Sequence, residues 1–302
     1  MTHVDVPTSF TSPAGHIDLN GDGIGYVESY DFSTANLSAE TRIAAISTIA
    51  SVCYQSPKAL GSISLYDRLA AESAGLPSSS FEFVPVLLQL RGNPNGTVSS
   101  SVKALRASAN ATVFGDMASF KYGEVIEEDK YLLTNLRALI ADVGDKADDF
   151  FNTPEECAII AKYFKVYKAK IDLATRAQYI RHRVSWQELS RRYVSGKKSP
   201  FEFYYSPKLM NFHSNQESDG KLGNIYYTAE LVDLCIEHYN QAIAAGIKPE
   251  EARRILPQSM YTQVYSAWMP SHLNSFFDLR CDKHSQKEIQ ELAFGMKELS
   301  QN

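Results

Sequence analysis

Apolar positions along the chain fall into short periodic runs separated by polar stretches. In residues 40–54, Ile43, Ile46, Ile49 and Ala50 recur at helical spacing, which predicts a helix. Residues 64–74 predict a second, shorter helix, and the apolar β-prone run 81–90 predicts a strand. Turn formers and a serine run make 91–115 loop-like, and residues 130–143 have helical spacing. Residues 145–156 are acidic and polar, and the apolar, aromatic run 158–166 reads as another strand. The stretch 91–157 therefore reads as an insertion between two strand-like runs, within one domain spanning 1–302. Further on, 228–245 predicts a helix with Leu231, Leu234, Cys235 and Ile243 on one side and Gly246 as its stop. Pro249, followed by Glu250 and Glu251, opens another helix, because proline and acids suit a helix start. Residues 259–268 read as extended, and helices are expected over 271–280 and 283–299. Residues 1–40 are polar, with no predicted element.

Composition narrows the class. The chain has 302 residues, 44% of them hydrophobic and 22% charged, which suits a folded protein rather than a disordered one. A net charge of −5 argues against a general nucleic-acid coat. No apolar run reaches the roughly 18 residues that span a bilayer, and the start of the chain does not read as a signal peptide. The four cysteines form no C-x-x-C pair. A cytoplasmic protein with free thiols is expected, with no membrane or nucleic-acid partner. The run Asp18-x-Asn20-x-Asp22-Gly23 mimics the start of a calcium loop. Its twelfth position is Ser29 rather than glutamate, so turn chemistry explains it and no metal site is expected.

Charge is concentrated in one place. Residues 176–198 hold five arginines and two lysines against the single acid Glu188. Ser185-x-x-Glu188 is a capping-box pattern, which predicts a helix start near 185 and an anion site just before it, at Arg181 and Arg183. An exposed basic helix is the plainer reading of the same composition.

The order of residues goes further. Gln178-x-x-Arg181-His182-Arg183, followed by Glu188-Leu189-Ser190-x-Arg192-Tyr193, resembles the signature of the flavin-dependent thymidylate synthases. Glu250-Glu-Ala-Arg253-Arg-Ile-Leu-Pro257 is similar to that family's E-x-A-R-x-x-L-P. Leu279-Arg280, Asp282, His284-Ser-Gln286 and Glu288-Ile289 are similar to its L-R-x-D-x-H-A-Q-x-E-I. Ser79-Ser80-Phe81-Glu82 and Val52-Cys53-Tyr54 add weaker blocks in the family's order.

The resemblance implies an α/β (α+β) fold: a mostly antiparallel sheet flanked by helices, assembled as a homotetramer. It also implies an enzyme that methylates dUMP to dTMP. Methylenetetrahydrofolate would be the one-carbon donor, and NADPH, through FAD, the reductant. By position, Gln178, Arg181, Glu188, Leu189, Ser190, Arg191, Arg192, Arg253 and Arg280 match dUMP contacts. Ser79, Arg181, His182, Arg183, Glu188 and His284 match FAD contacts. Arg280 matches the arginine assigned to the uracil N3 anion, whereas a pairing with Asp282 would make it merely structural. Tyr193 is a candidate to stack on a ring of folate or uracil.

Several positions depart from the family pattern. Six residues rather than seven separate Arg183 from Ser190. Gln187 stands for an asparagine, Met269 and Ser275 for flavin-binding asparagines, and Pro77 for a histidine. Tyr131 to Arg137 resembles an N-L-R segment of longer members. The departures leave two alternatives: a related pyrimidine deoxynucleotide hydroxymethylase, or an inactive nucleotide-binding homologue.

Overall fold

The computed structural model describes residues 2–71, 76–90, 117–128, 130–210 and 228–301. The predicted loop 91–115 and the end of the predicted helix 64–74 fall outside these residues. Strands β1 (Gly15–Leu19) and β2 (Gly25–Tyr30) come first, then helices α1 (Ala39–Tyr54) and α2 (Ile63–Ala70). Strands β3 (Pro85–Gln89), β4 (Glu124–Ile126) and β5 (Tyr131–Asn135) follow, with helices α3 (Leu136–Val143) and α4 (Pro154–Tyr163). The remainder is β6 (Lys165–Asp172), α5 (Leu173–Tyr179), β7 (Ser185–Glu188), α6 (Thr228–Ala244), α7 (Pro249–Ala252), β8 (Tyr261–Trp268), α8 (Pro270–Arg280) and α9 (Lys287–Gln301).

The strands form two sheets, ordered β1-β2-β6-β8-β7 and β3-β5-β4. Every pairing is antiparallel. Antiparallel sheets packed against helices agree with the expected fold class. Strands β3 and β6 lie in different sheets, and β3 takes its partner, β5, from the 91–157 stretch.

Several local expectations are corrected. The predicted helix over 130–143 is a strand followed by a helix. β5 is hydrogen-bonded on both sides, and Leu132 to Asn135 are all buried. A run buried on both faces loses the alternation that marks a strand. The helix begins only where the Asn135 side chain accepts the Ala138 N–H at 3.0 Å. The predicted strand over 158–166 is mostly α4. Pro154 opens that helix, and Thr153 and Glu156 close a capping box around its start. The 81–90 run starts as a 3-10 turn, Ser79–Phe83, before β3.

Residues 1–40, read as featureless, hold the β1–β2 hairpin. Its turn uses the second half of the Asp18–Gly23 run: Asn20, Gly21 and Gly23 have positive φ, and Asp22 accepts the Ile24 and Gly25 N–H groups. On α6, Val232 and Tyr239 are the buried positions, while Leu231 and Leu234 are exposed. The last helix starts at Lys287 rather than 283.

Two apolar clusters position the site. In the first, α1 packs with β3, β5 and α3. In the second, α8 and α9 lie on one face of the five-stranded sheet. Helix α9 comes close because Gly295 faces Val27: an added Cβ would stand 3.0 Å from its Cγ1. At the centre of this cluster, Trp268 is fully buried among Tyr179, Trp186 and Phe276. Its Nε1 donates to Ser266 Oγ at 2.8 Å.

Trp268→Ala is therefore expected to lower unfolding free energy by about 3–5 kcal/mol, through lost transfer energy and an unfilled cavity. Denaturant unfolding measures this. A loss below about 1 kcal/mol would contradict a core centred on Trp268.

Candidate functional site

The basic segment begins at the end of α5. Asp172 starts that helix by accepting the Ala174 and Thr175 N–H groups, and Tyr179 near its end is buried in the aromatic cluster. Arg181, His182 and Arg183 follow in a tight turn, in which the Val184 N–H reaches the His182 carbonyl at 3.1 Å.

The helix expected from the capping-box pattern at 185 is absent; the segment is edge strand β7, paired with β8. Alternation explains this. Trp186 points into the aromatic cluster, while Gln187 reaches Cys53 and Ser79 on the opposite face. Burial of Trp186 and pairing to β8 outweigh a local cap. The predicted anion site thus rests on the arginine side chains and not on a helix dipole. Arg181 and Arg183 are both exposed, and neither has a carboxylate partner among the described residues.

Arg280, at the end of α8, is held over this turn. Its Nε donates to His182 Nε2 at 3.1 Å, and Nη2 lies 3.5 Å from the Gln178 carbonyl. His182 must accept at Nε2, so its proton resides on Nδ1. Burial, with the Arg280 charge second, pushes the His182 pKa down to about 4. The imidazole is therefore neutral near pH 7. The ring packs edge-on against Phe276 at 4.9 Å, and Trp186 Nε1 donates to its carbonyl.

The alternative partner of Arg280, Asp282, instead accepts the His284 N–H at 2.8 Å. Arg280 thus carries a full charge beside a neutral histidine, and Nη1 makes no hydrogen bond among the described residues. Gln178 extends its amide to Gln286 at 2.7 Å, which joins α5 to the segment bearing His284.

The other predicted residues lie on several neighbouring segments. Glu188 is fixed by Arg176, whose Nε and Nη2 both donate to Oε2, and by Thr262 Oγ1, which donates to Oε1 at 3.0 Å. Leu189 is buried, and its N–H bonds the Gln263 carbonyl. The Ser190 N–H bonds the Cys53 carbonyl at 3.2 Å, and its own carbonyl accepts from Tyr193 and Val194. Arg191 turns inward to the Ser199 and Pro200 carbonyls and lies over the Phe201 ring, leaving its buried Nε without a partner. Arg192 and Arg253 meet at Glu250: Arg192 Nε binds its carboxylate at 2.9 Å, and Arg253 Nε its carbonyl at 3.3 Å. Ser79 Oγ donates to Gln187 Oε1 at 3.2 Å. His284 and Ser275 are exposed, whereas Met269 is buried.

Arg280, His182 and Gln178 are therefore in direct contact, as are Arg192 and Arg253 through Glu250. Ser79 joins the strand bearing Glu188 through Gln187, and among the described residues His284 makes no hydrogen bond to another predicted site residue.

Sequence reasoning missed Arg176 and Thr262, which hold Glu188, and Trp186, which holds the His182 turn. The two-residue alternation of 185–188 was the available signal. Burial raises the Cys53 thiol to about 11, so it is a neutral acceptor for Gln187 and not a thiolate nucleophile.

Residues 159–302, which contain all of these groups except Ser79 and Cys53, match the family described as Thy1, thymidylate synthase complementing protein. The chain is 33% identical over 131 residues to a flavin-dependent thymidylate synthase of Thermotoga neapolitana, covering 43% of this chain and 58% of that protein. It is 27% identical over 228 residues to the enzyme of that name from Aquifex aeolicus, covering 71% and 70%. A probable flavin-dependent thymidylate synthase of Paramecium bursaria Chlorella virus 1 is 28% identical over 152 residues, covering 47% and 68%. The match thus spans less than two thirds of the Thermotoga protein's length.

The neutral His182 sets a pH dependence. Its folded pKa lies below the unfolded value near 6.5, so the unfolded chain takes up a proton first. Stability is then present above about pH 6.5 and is lost as pH falls toward 4. His182→Gln should show a smaller loss across that window in urea unfolding at several pH values. Parallel curves for the two proteins would contradict a buried neutral imidazole.

Proposed function

Because residues 159–302 match the Thy1 family, we propose a flavin-dependent thymidylate synthase that reductively methylates dUMP to dTMP. Methylenetetrahydrofolate is the one-carbon donor and NADPH the reductant through FAD. We take 1–302 as one domain with 91–157 as an insertion, acting in the cytoplasm as a homotetramer. The open outer edge of β7 and the exposed Arg181 and Arg183 fit a site completed by another copy. Among the described residues, no helix is long and apolar enough to cross a membrane.

The donor set fits a flavin dinucleotide. Arg181 and Arg183, without carboxylate partners among the described residues, suit a pyrophosphate, and the Ser79 hydroxyl and the His182 ring border the same strand. Bound there, the flavin would supply the hydride chemistry. Arg192, Arg253 and the Ser190 loop would hold the nucleotide phosphate, and Gln178 and the fixed Glu188 would orient the nucleotide. We assign His284 a place near the flavin and Leu189 and Arg191 the wall of the nucleotide loop.

The observation that carries the reading is the un-neutralised Arg280 guanidinium, held by the neutral His182. Loss of the uracil N3 proton leaves a negative charge that makes C5 a better carbon nucleophile. A guanidinium about 4 Å away would stabilise that charge by on the order of 4 kcal/mol at an effective dielectric near 20. A carboxylate partner such as Asp282 would cancel this effect, and a neutral imidazole does not.

The purified protein should be yellow and form dTMP from dUMP, methylenetetrahydrofolate and NADPH with FAD added. Arg280→Ala should lower kcat by about 10²–10³ while retaining flavin absorbance. A protein that binds no FAD would overturn the function, and an Arg280→Ala variant with full activity would overturn the N3-anion role.

A further inference from the structure

A second concave region lies beyond the predicted site residues, where the end of α1 meets the Pro57–Ala59 turn and the start of α2. The cavity has a volume of about 290 Å³ and is lined by Tyr54, Ser56, Lys58, Ser64, Arg68 and Lys198, with Ala59 and Leu65. Three of these residues are cationic and none is acidic, although the chain carries a net charge of −5.

Several basic residues elsewhere on the surface are paired, Arg192 with Glu250, Arg254 with Glu251, Lys170 with Glu202 and Lys287 with Glu291, whereas Arg181 and Arg183 of the candidate site have no carboxylate partner among the described residues. The Lys58 ammonium and the Arg68 guanidinium form no such ion pair among the described residues. A solvated basic face would be interleaved with carboxylates. Unpaired cations around a concavity instead focus a positive potential.

The cavity adjoins the nucleotide loop. Lys198 Nζ donates to the Tyr54 carbonyl, which closes the last turn of α1 and keeps the ammonium at the rim. The Tyr54 ring packs on Tyr193 at 5.4 Å, and Arg192 lies over the other member of that pair at 5.2 Å. Tyr193 is 53% exposed, so the two tyrosines present an aromatic surface between Ser190–Arg192 and the cavity. The Ser56 and Ser64 hydroxyls add hydrogen-bonding groups to the lining. An aromatic surface leading to a basic concavity matches a ligand with a flat ring and a multiply charged anionic tail.

We propose that this cavity binds the polyanionic tail, oligocarboxylate or phosphate, of a co-substrate whose ring lies against Tyr193. That the tail belongs to a co-substrate rests on the proposed function. The anion site itself does not. Two sources share the chemistry: the glutamate carboxylates of the folate and the phosphates of the nicotinamide dinucleotide.

Calorimetric titration of the full chain with pyrophosphate, and separately with pentaglutamate, tests the site without requiring turnover. At least one probe should bind saturably, and Lys58→Gln/Arg68→Gln should weaken it about tenfold or more. Lys58→Arg/Arg68→Lys should restore it, and dUMP affinity should not change. In steady-state assays, a KM raised about tenfold for pentaglutamyl but not monoglutamyl methylenetetrahydrofolate assigns the tail to folate. A raised KM for NADPH assigns it to the dinucleotide.

If neither probe binds the wild type, or the double variant binds as tightly, the proposal is overturned. If the double variant loses the probe but both KM values stay unchanged, the co-substrate assignment is overturned. An absence of dTMP synthesis with probe binding intact would refute the proposed function and leave the anion site standing.

Discussion

The eight-residue antiparallel ladder between β6 and β8 is the contact on which the candidate site depends. It runs from Lys165 opposite Trp268 to Asp172 opposite Tyr261, and so joins segments about ninety residues apart in sequence. α5 leaves β6 at the end where β8 begins and runs back across the sheet, ending near Trp268. α8 leaves β8 at that same end. Both helices cover the face occupied by Tyr167, Ala169 and Val264, and Tyr179 and Phe276 meet over Trp268. His182 and Arg280, each just past or at the end of its helix, are thereby brought into hydrogen-bonding distance. A two-residue slip of the ladder would preserve every inward side chain, yet it would move Arg280 away from the turn by more than a hydrogen bond can span.

Within this frame the cations fall into two electrostatic classes. Arg176 and Arg192 face carboxylates, which orients them. Arg280 is oriented as firmly, but by a neutral nitrogen. A hydrogen bond to neutral imidazole supplies direction without a compensating charge, and the same burial that keeps His182 neutral strengthens the field of Arg280 on any group beside it. Arg181 and Arg183 are exposed and have no carboxylate partner among the described residues, which suits them to an anion. The candidate site thus combines one rigidly held charge with two exposed ones.

Much of this was legible in the sequence, and the exceptions share a cause. The basic cluster, the Arg253 and Arg280 blocks and the extended run ending at Trp268 were all readable, because motifs and apolar periodicity are local properties. The strand at 185–188 was not. Its short alternation competes with a capping-box pattern, and only the exposed edge of β8, supplied by a distant segment, decides between them. β5 was misread for a related reason: pairing on both sides buries Leu132 and Leu133 alike and erases the two-residue period. The partners of Glu188 were hidden because Arg176 reaches it across the α5 turn and Thr262 across the sheet. The neutrality of His182 follows from its surroundings, and no sequence pattern records it.

The shortened spacer before Ser190 can be placed in the same frame. Strand β7 is held in register by Gln187 opposite Tyr265, with Trp186 and Glu188 on the α8–α9 side and Gln187 on the other. A one-residue change within it would turn Glu188 away from Arg176 and Thr262 and expose Trp186, at the cost of a half-buried ion pair and an aromatic contact. The strand therefore cannot absorb the difference, and the flanking turns must. Ahead of it, the His182–Val184 turn closes with a bond spanning only two residues, about the tightest reversal a chain makes. That tightness also sets His182 between Trp186 and Phe276, where it meets Arg280. Gln187, one methylene longer than asparagine, spans from the strand to Cys53 and Ser79 and ties α1 and the Ser79 turn to β7. In this chain the tight turn and the Gln187 side chain act together, the one holding the strand register and the other tying the strand to its neighbouring segments.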